Sequence, residues 1–148
     1  MSGANLPRLS EARIHHYFNM AHNACFYSDN PRIRLGAVLV YKNKVLSVGW
    51  NSTKTNPTQK RLNVQRGFDV NASNAFNTLH AEVDCLLKAK DLDIDWGKAS
   101  IFVYRIKKNG EVGLSRPCKG CMTLIKSMGI KNIYYSTDDG FGYERVDV

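Results

Sequence analysis

The sequence predicts an α/β fold: a mixed sheet of about five strands with helices on its faces. Apolar residues recur at helical spacing in three separate stretches, and strand-length runs rich in Val, Ile, Leu and Tyr lie between them. The order α-β-β-α-β-α-β, with a further short strand at the end, is one that layers helices against a sheet.

The first helix is expected over Leu9 to Ser28. Ile14, Tyr17, Phe18, Ala21 and Cys25 fall three and four residues apart and so share a face. Ser10 or an upstream polar residue is the candidate cap at its start, and Asn30-Pro31 marks its end. Leu35 to Val40 and Lys44 to Trp50 read as strands, and Lys42-Asn43 is short enough to join them as a hairpin. Asn51 to Thr78 has weak periodicity. A stretch of that length without clear structure is uncommon in a compact domain and is often a lid or binding loop; the alternative is a solvated insertion. It carries Lys54, Lys60, Arg61 and Arg66, with Phe68 and Phe76 interleaved.

His80 to Lys90 is expected to be the second helix, with Val83, Leu86 and Leu87 facing inward. Ala99 to Ile106 is almost continuously apolar, as suits a strand covered on both faces. Lys108-Asn109-Gly110 is a turn, and Cys118 to Met128 is the third helix, stopped by Gly129. Lys131 to Ser136 is another strand. Asp138-Asp139-Gly140 then turns into a short last strand near Tyr143 to Val146. No repeat or linker divides the chain, so one domain over 1–148 is expected.

Composition narrows the function. No apolar run reaches the length that spans a bilayer, and Met1 to Arg8 lack the apolar core of a secretory leader. The default location is therefore the cytoplasm, with no membrane partner. Four cysteines in that setting do not read as a disulfide framework. The 21 Lys and Arg against 13 Asp and Glu give a net charge of +8, which favours an anionic partner such as a nucleotide phosphate or a polynucleotide. The simpler reading is that the charge only keeps the protein soluble.

Two fragments carry the chemistry: Leu79-His80-Ala81-Glu82 and Arg116-Pro117-Cys118-Lys119-Gly120-Cys121. Zinc accepts imidazole nitrogen and thiolate sulfur tetrahedrally, and a catalytic site uses three protein ligands with the fourth position left to a water of lowered pKa. His80, Cys118 and Cys121 supply three such ligands. The spacing of the cysteines puts both sulfurs on one side of a helical turn, whose positive dipole end favours thiolate. Glu82 is not needed to complete that set. A carboxylate there can carry a proton to a ring nitrogen and a departing amine, a contribution of about 10²–10⁴-fold in rate. A structural zinc site would want a fourth protein ligand, for which Cys85 or Cys25 could be nominated. Cys85 follows His80 by five residues, however, and adjoins Leu86 and Leu87, which suggests core.

The H-x-E…P-C-x-x-C pattern is that of zinc-dependent nucleobase deaminases. Over about Gly36 to Tyr135 the chain resembles the cytidine/deoxycytidylate deaminase superfamily. The resemblance rests on Gly36-Ala37-Val38-Leu39-Val40, Gly49-Trp50-Asn51, His80-Ala81-Glu82 and Pro117-Cys118-x-x-Cys121. It implies a three-layer α-β-α cytidine-deaminase-like fold, a Zn2+ cofactor and a hydrolase of nucleotide metabolism. It also implies that Asn51 contacts the sugar or base, that the backbone at Ala81 receives the polar edge of the base, and that Glu82 moves protons. Lys54, Arg61 and Arg66 are candidates for binding phosphate.

The long segment before His80 is similar to that of deoxycytidylate deaminases, which points to a free nucleotide such as dCMP. The turn at Asp138-Asp139-Gly140 departs from that branch, because it suggests an antiparallel last strand as in free-nucleoside and some toxin-type deaminases. Arg116 departs as well, in a neighbourhood that shapes the base pocket in relatives. Two alternatives stay open: deamination of cytosine or adenine in single-stranded DNA or RNA, and an idle nucleotide or nucleic-acid binder, against which Glu82 argues. Small deaminases of this superfamily commonly form homo-oligomers, an option the resemblance carries over.

Overall fold

The computed structural model describes residues 9–54, 56–59 and 79–146. The chain runs through α1 (Glu11–Ala24), a 3-10 turn (Cys25–Tyr27), β1 (Arg34–Tyr41), β2 (Lys44–Trp50) and α2 (Ala81–Ala89). A second 3-10 turn (Trp96–Lys98) leads to β3 (Ser100–Ile106), β4 (Val112–Gly113), α3 (Lys119–Met128), β5 (Asn132–Thr137) and β6 (Gly140–Arg145). The sheet order is β2-β1-β3-β5-β6, with β4 also paired to β3; β3 and β5 are parallel and every other pair is antiparallel. Six strands form where about five were expected. The addition, β4, pairs only Val112 and Gly113 with Ile106 and Arg105, and two residues present no period to read.

Local chemistry explains the boundaries. Ser10 caps α1, its Oγ accepting from the Arg13 amide at 3.2 Å. The helix ends at Ala24, short of Ser28, because Cys25–Tyr27 tightens into the 3-10 turn. Lys42 and Asn43 take φ of 50° and 63°, as a two-residue hairpin with right-handed strand twist requires. Thr137 pairs with Gly140 across the Asp138-Asp139 turn, so β6 returns antiparallel to β5.

The two sides of the sheet bury different residues, alternating along the strands. Val38, Val40 and Phe102 face Tyr17, Phe18 and Ala21 of α1. Ala37, Leu39, Ile101 and Val103 face Cys85, Leu86 and Ala89 of α2 and Ile125 of α3. This is the three-layer α-β-α arrangement. Both faces depend on a glycine: a Cβ at Gly36 would collide with the Ala21 carbonyl, and one at Gly49 with the Cys85 amide and the Ala81 carbonyl. Gly49 therefore lets α2 lie directly on β2, which fixes where its first residues sit. Among the described residues no helix is long and apolar enough to cross a membrane.

Candidate metal centre and active site

The proposed ligands stand at the starts of two helices on the same face of the sheet. His80 is the N-cap of α2 and Cys118 the N-cap of α3, both with extended backbone, while Cys121 lies in the first turn of α3. The approach to Cys118 is tied down by buried hydroxyls. Ser115 Oγ donates to the Val103 carbonyl at 2.8 Å, and Ser136 Oγ donates to the Gly113 carbonyl at 2.7 Å. The Ser136 amide in turn donates to Ser115 Oγ at 2.7 Å. These bonds hold the chain before Pro117 to the ends of β3 and β5. On the other arm, the Leu79 amide donates to the Lys54 carbonyl at 3.0 Å, and the His80 amide donates to Oε1 of the fully buried Gln59 at 3.2 Å.

Two segments separated by 38 residues thus meet. His80 Nδ1 lies 3.3 Å from Cys121 Sγ and 3.6 Å from Cys118 Sγ, and the three donor atoms all fall within 4.8 Å of one another. Bonds of zinc length in a tetrahedron put nitrogen and sulfur ligands about 3.6 Å apart. The donor set therefore fits Zn2+ in kind and in spacing. Hydrogen bonding with Cys121 lowers the Cys118 thiol to about 3; burial opposes this and His80 assists it, so the group is poised as a thiolate.

Glu82 lies in the first turn of α2, 4% exposed. Burial pushes its carboxyl above the usual range, with the charge on His80 opposing the rise and that on Cys118 adding to it. Its Oε1 is buried with no hydrogen-bond partner among the described residues. An unpaired buried oxygen of this kind costs about 1–3 kcal/mol, and its persistence beside a three-donor cluster marks a place that a ligand completes.

Cys85 and Cys25 stand apart from the cluster. The Cys85 thiol donates to the Ser47 carbonyl at 3.6 Å, and burial pushes both thiols up to about 12, so they are neutral core groups. Among the described residues only His80, Cys118 and Cys121 group as metal donors.

The remaining expected residues divide. Ala81 is buried as the first residue of α2, where backbone N–H groups have no acceptor within the helix. Asn51 is buried beside the end of β2. Its Oδ1 accepts from the Leu35 amide at 2.9 Å and its Nδ2 donates to the Ile33 carbonyl at 2.9 Å, so it also binds the start of β1. Lys54 is exposed, with its backbone paired to Leu79 beside the His80 arm. Arg61 and Arg66, with Lys60, Phe68 and Phe76, lie outside the described residues. Trp50 packs: the Lys88 ammonium sits 3.9 Å from its ring centroid and the Tyr27 ring 4.9 Å away. Arg116 turns outward to Glu144 of β6, Nη2 to Oε1 at 3.0 Å. Phe141 and Tyr143 join the α1 side through Phe18 and Tyr134.

Sequence reasoning missed Gln59 and the Ser115–Ser136 pair, because single polar residues in irregular segments carry no periodic signal. It missed Asp84 as well. That carboxylate accepts from the Trp50 amide at 3.1 Å and from Lys88 at 2.9 Å, and so fastens α2 to β2.

The cytidine and deoxycytidylate deaminase zinc-binding region matches residues 11–137, most of the chain. The chain belongs to this family. Among curated proteins it is similar to ComE operon protein 2 of Bacillus subtilis (strain 168), 23% identical over 123 residues; the match covers 83% of this chain and 58% of that relative's length. Among solved structures, the dCMP deaminase of cyanophage S-TIM5 in apo form superposes with a TM-score of 0.61 at 23% identity, covering 87% of this chain and 86% of that one. The cytidine deaminase of Burkholderia pseudomallei gives 0.62 at 19% identity, covering 93% of each. These likenesses support the cytidine-deaminase-like fold. The family match spans the segments that carry His80, Cys118 and Cys121.

Proposed function

We propose that this protein is a single deaminase domain, a zinc-dependent hydrolase that converts the cytosine of a free nucleotide such as dCMP to uracil and releases ammonia. The observation that carries the reading is the buried, unpartnered Glu82 Oε1 next to the three-donor cluster. His80 Nδ1, Cys118 Sγ and Cys121 Sγ would hold Zn2+. Bound there, zinc supplies Lewis acidity and lowers the pKa of water toward neutrality.

The protein's own residues do the rest. Glu82 relays both protons of the consumed water: one ends on ring N3, and the other leaves with the amine as ammonia once the C4–N bond breaks. The backbone at Ala81 receives the polar edge of the base, and Asn51 borders the sugar or the base. Lys54, with Arg61 and Arg66, answers the phosphate, in keeping with the net charge of +8. The cyanophage dCMP deaminase, which has this fold, is known in complex with dCMP and dUMP, and that supports a nucleotide as substrate here.

One observation favours a second reading, a single-stranded polynucleotide substrate. Tyr27, 69% exposed, extends the Trp50 ring next to Asn51 and offers a surface on which a flanking base can stack. Equal amounts of dCMP, CMP, deoxycytidine and a cytosine-containing oligonucleotide, followed by mass spectrometry, separate the two. Turnover of dCMP with the oligonucleotide untouched supports the first reading. Turnover of the oligonucleotide alone replaces it with the second.

A further inference from the structure

Arg116 stands on the arm that delivers Cys118, between two backbone anchors. On one side the Ser115 amide donates to the Ser136 carbonyl at 2.9 Å; on the other the Cys118 carbonyl accepts from the Met122 amide at 2.8 Å. Pro117, between Arg116 and Cys118, is buried, has a fixed φ and has no amide to donate. It also restricts the backbone of Arg116. A displacement of Arg116 therefore passes to Cys118 through a stiff link.

The Arg116 side chain reaches the last strand. Its Nη2 donates to Glu144 Oε1 at 3.0 Å and its Nε to Oε2, a two-bond fork that fixes direction as well as distance. The Tyr135 hydroxyl hydrogen-bonds to both partners, so three side chains form one network. A glycine makes room for it. Tyr135 of β5 pairs with Gly142 of β6, and a Cβ at Gly142 would stand 2.6 Å from the tyrosine ring and 2.8 Å from its hydroxyl oxygen. The ring thus lies across β6, where any other side chain would block it. Glu144, two residues on, emerges on the same face. It pairs with Ile133, whereas Ser115 is bonded to Ser136 nearer the end of β5, so the Arg116 side chain runs back along the sheet.

An exposed ion pair contributes little to global stability, and these two side chains are 48% and 33% exposed. The consequence of the network is local. We propose that Glu144 and Tyr135 are positioning residues for the metal centre: through Arg116 they hold the Cys118 arm in place, although neither is a metal donor. The inference rests on the metal centre proposed above. The last strand thereby takes part in the site without supplying a ligand to it.

The test compares the zinc-loaded full chain with its variants in two ways. One is the rate of zinc release to a chromophoric chelator; the other is the absorption bands of the cobalt-substituted protein, which report the geometry around the metal. Glu144→Ala should release zinc about tenfold faster, the lower end for groups that support a metal ligand from outside. Glu144→Gln, whose amide still accepts one of the two bonds, should fall between it and wild type. The cobalt bands should move in the same order, while Tm of the metal-free protein stays within about 5 °C of wild type. A pair that served stability alone would move Tm and leave the bands where they were. Asp138→Ala breaks another surface ion pair, with Lys107 at 3.6 Å, and should leave zinc release unchanged. Wild-type release and bands in both Glu144 variants, or an equal acceleration in Asp138→Ala, would overturn the proposal. Neither readout depends on turnover, so the result is independent of which substrate the enzyme takes. A wild-type chain that binds no zinc would overturn the metal centre and this proposal together.

Discussion

Replacing Glu82 by Gln keeps the volume and shape of the side chain and removes its charge and its capacity to accept a proton. On the mechanism above, kcat/KM falls by about 10²–10⁴-fold, the usual worth of a positioned general acid–base, or roughly 2.7–5.5 kcal/mol of barrier. Stability moves the other way. Glu82 is 4% exposed with one oxygen unpaired, and burying a charged, unsatisfied group costs more than burying an amide. Glu82→Gln protein should therefore be about 1 kcal/mol more stable without metal, which at this chain length raises Tm by roughly 2–6 °C. Zinc content should stay at one ion per chain, because the three donors do not include Glu82. The assays are ammonia release, metal analysis and thermal unfolding on the same preparations. Activity within about tenfold of wild type would refute the proton relay. Loss of zinc or a lower Tm would instead show that the carboxylate supports the metal or the fold.

Three further outcomes follow from the structure. Gly49→Ala drives a methyl into the Cys85 amide and the Ala81 carbonyl, so α2 must lift. It should cost about 1–3 kcal/mol in thermal or urea unfolding and lower activity with it, since His80 and Glu82 ride on that helix. Gln59→Leu leaves the His80 amide without its acceptor; a loss of about 1–3 kcal/mol and weaker zinc retention in a chelator competition are expected, and unchanged retention would show that Gln59 does not position His80. Alkali should expose the two core thiols. Both are pushed up to about 12 in the folded chain, so between roughly pH 9 and 12 the unfolded chain has released protons that the folded chain keeps, and stability falls as pH rises. The slope is at most about 1.4 kcal/mol per pH unit per thiol, and Cys25→Ala/Cys85→Ala should flatten it relative to wild type in urea unfolding.

What was legible in the sequence, and what was not, follows from how far each feature reaches along the chain. The faces of α1 and β1 were legible because Tyr17, Phe18 and Ala21, like Val38 and Val40, repeat at the period of their element. The Lys42-Asn43 turn and the stop at Gly129 were legible because one or two residues carry the whole conformational demand. The donor set was visible because His80, Cys118 and Cys121 are rare residue types at meaningful spacings. Their convergence was not, since it depends on Gly49 seating α2 and on Ser115 and Ser136 seating the approach to α3. The same is true of Asn51. Its neighbours in sequence do not reveal that both ends of its amide reach the backbone of Ile33 and Leu35.

The position of the ligands on the helices carries a cost that the rest of the fold does not share. In α1 the N-cap is Ser10, and its hydroxyl satisfies a first-turn amide. At the corresponding positions of α2 and α3 stand His80 and Cys118, neither of which makes a side-chain cap bond. Forgoing such a cap costs a helix about 1 kcal/mol. Both helices are shorter than α1, at 9 and 10 residues against 14, and both hold their first residues by other means: Gln59 and Asp84 at α2, the serine pair before α3. A chain selected for stability alone would place Ser, Asp or Thr at both positions. That it presents an imidazole and a thiol there, aimed at each other 3.6 Å apart, is what a site built for a cation requires.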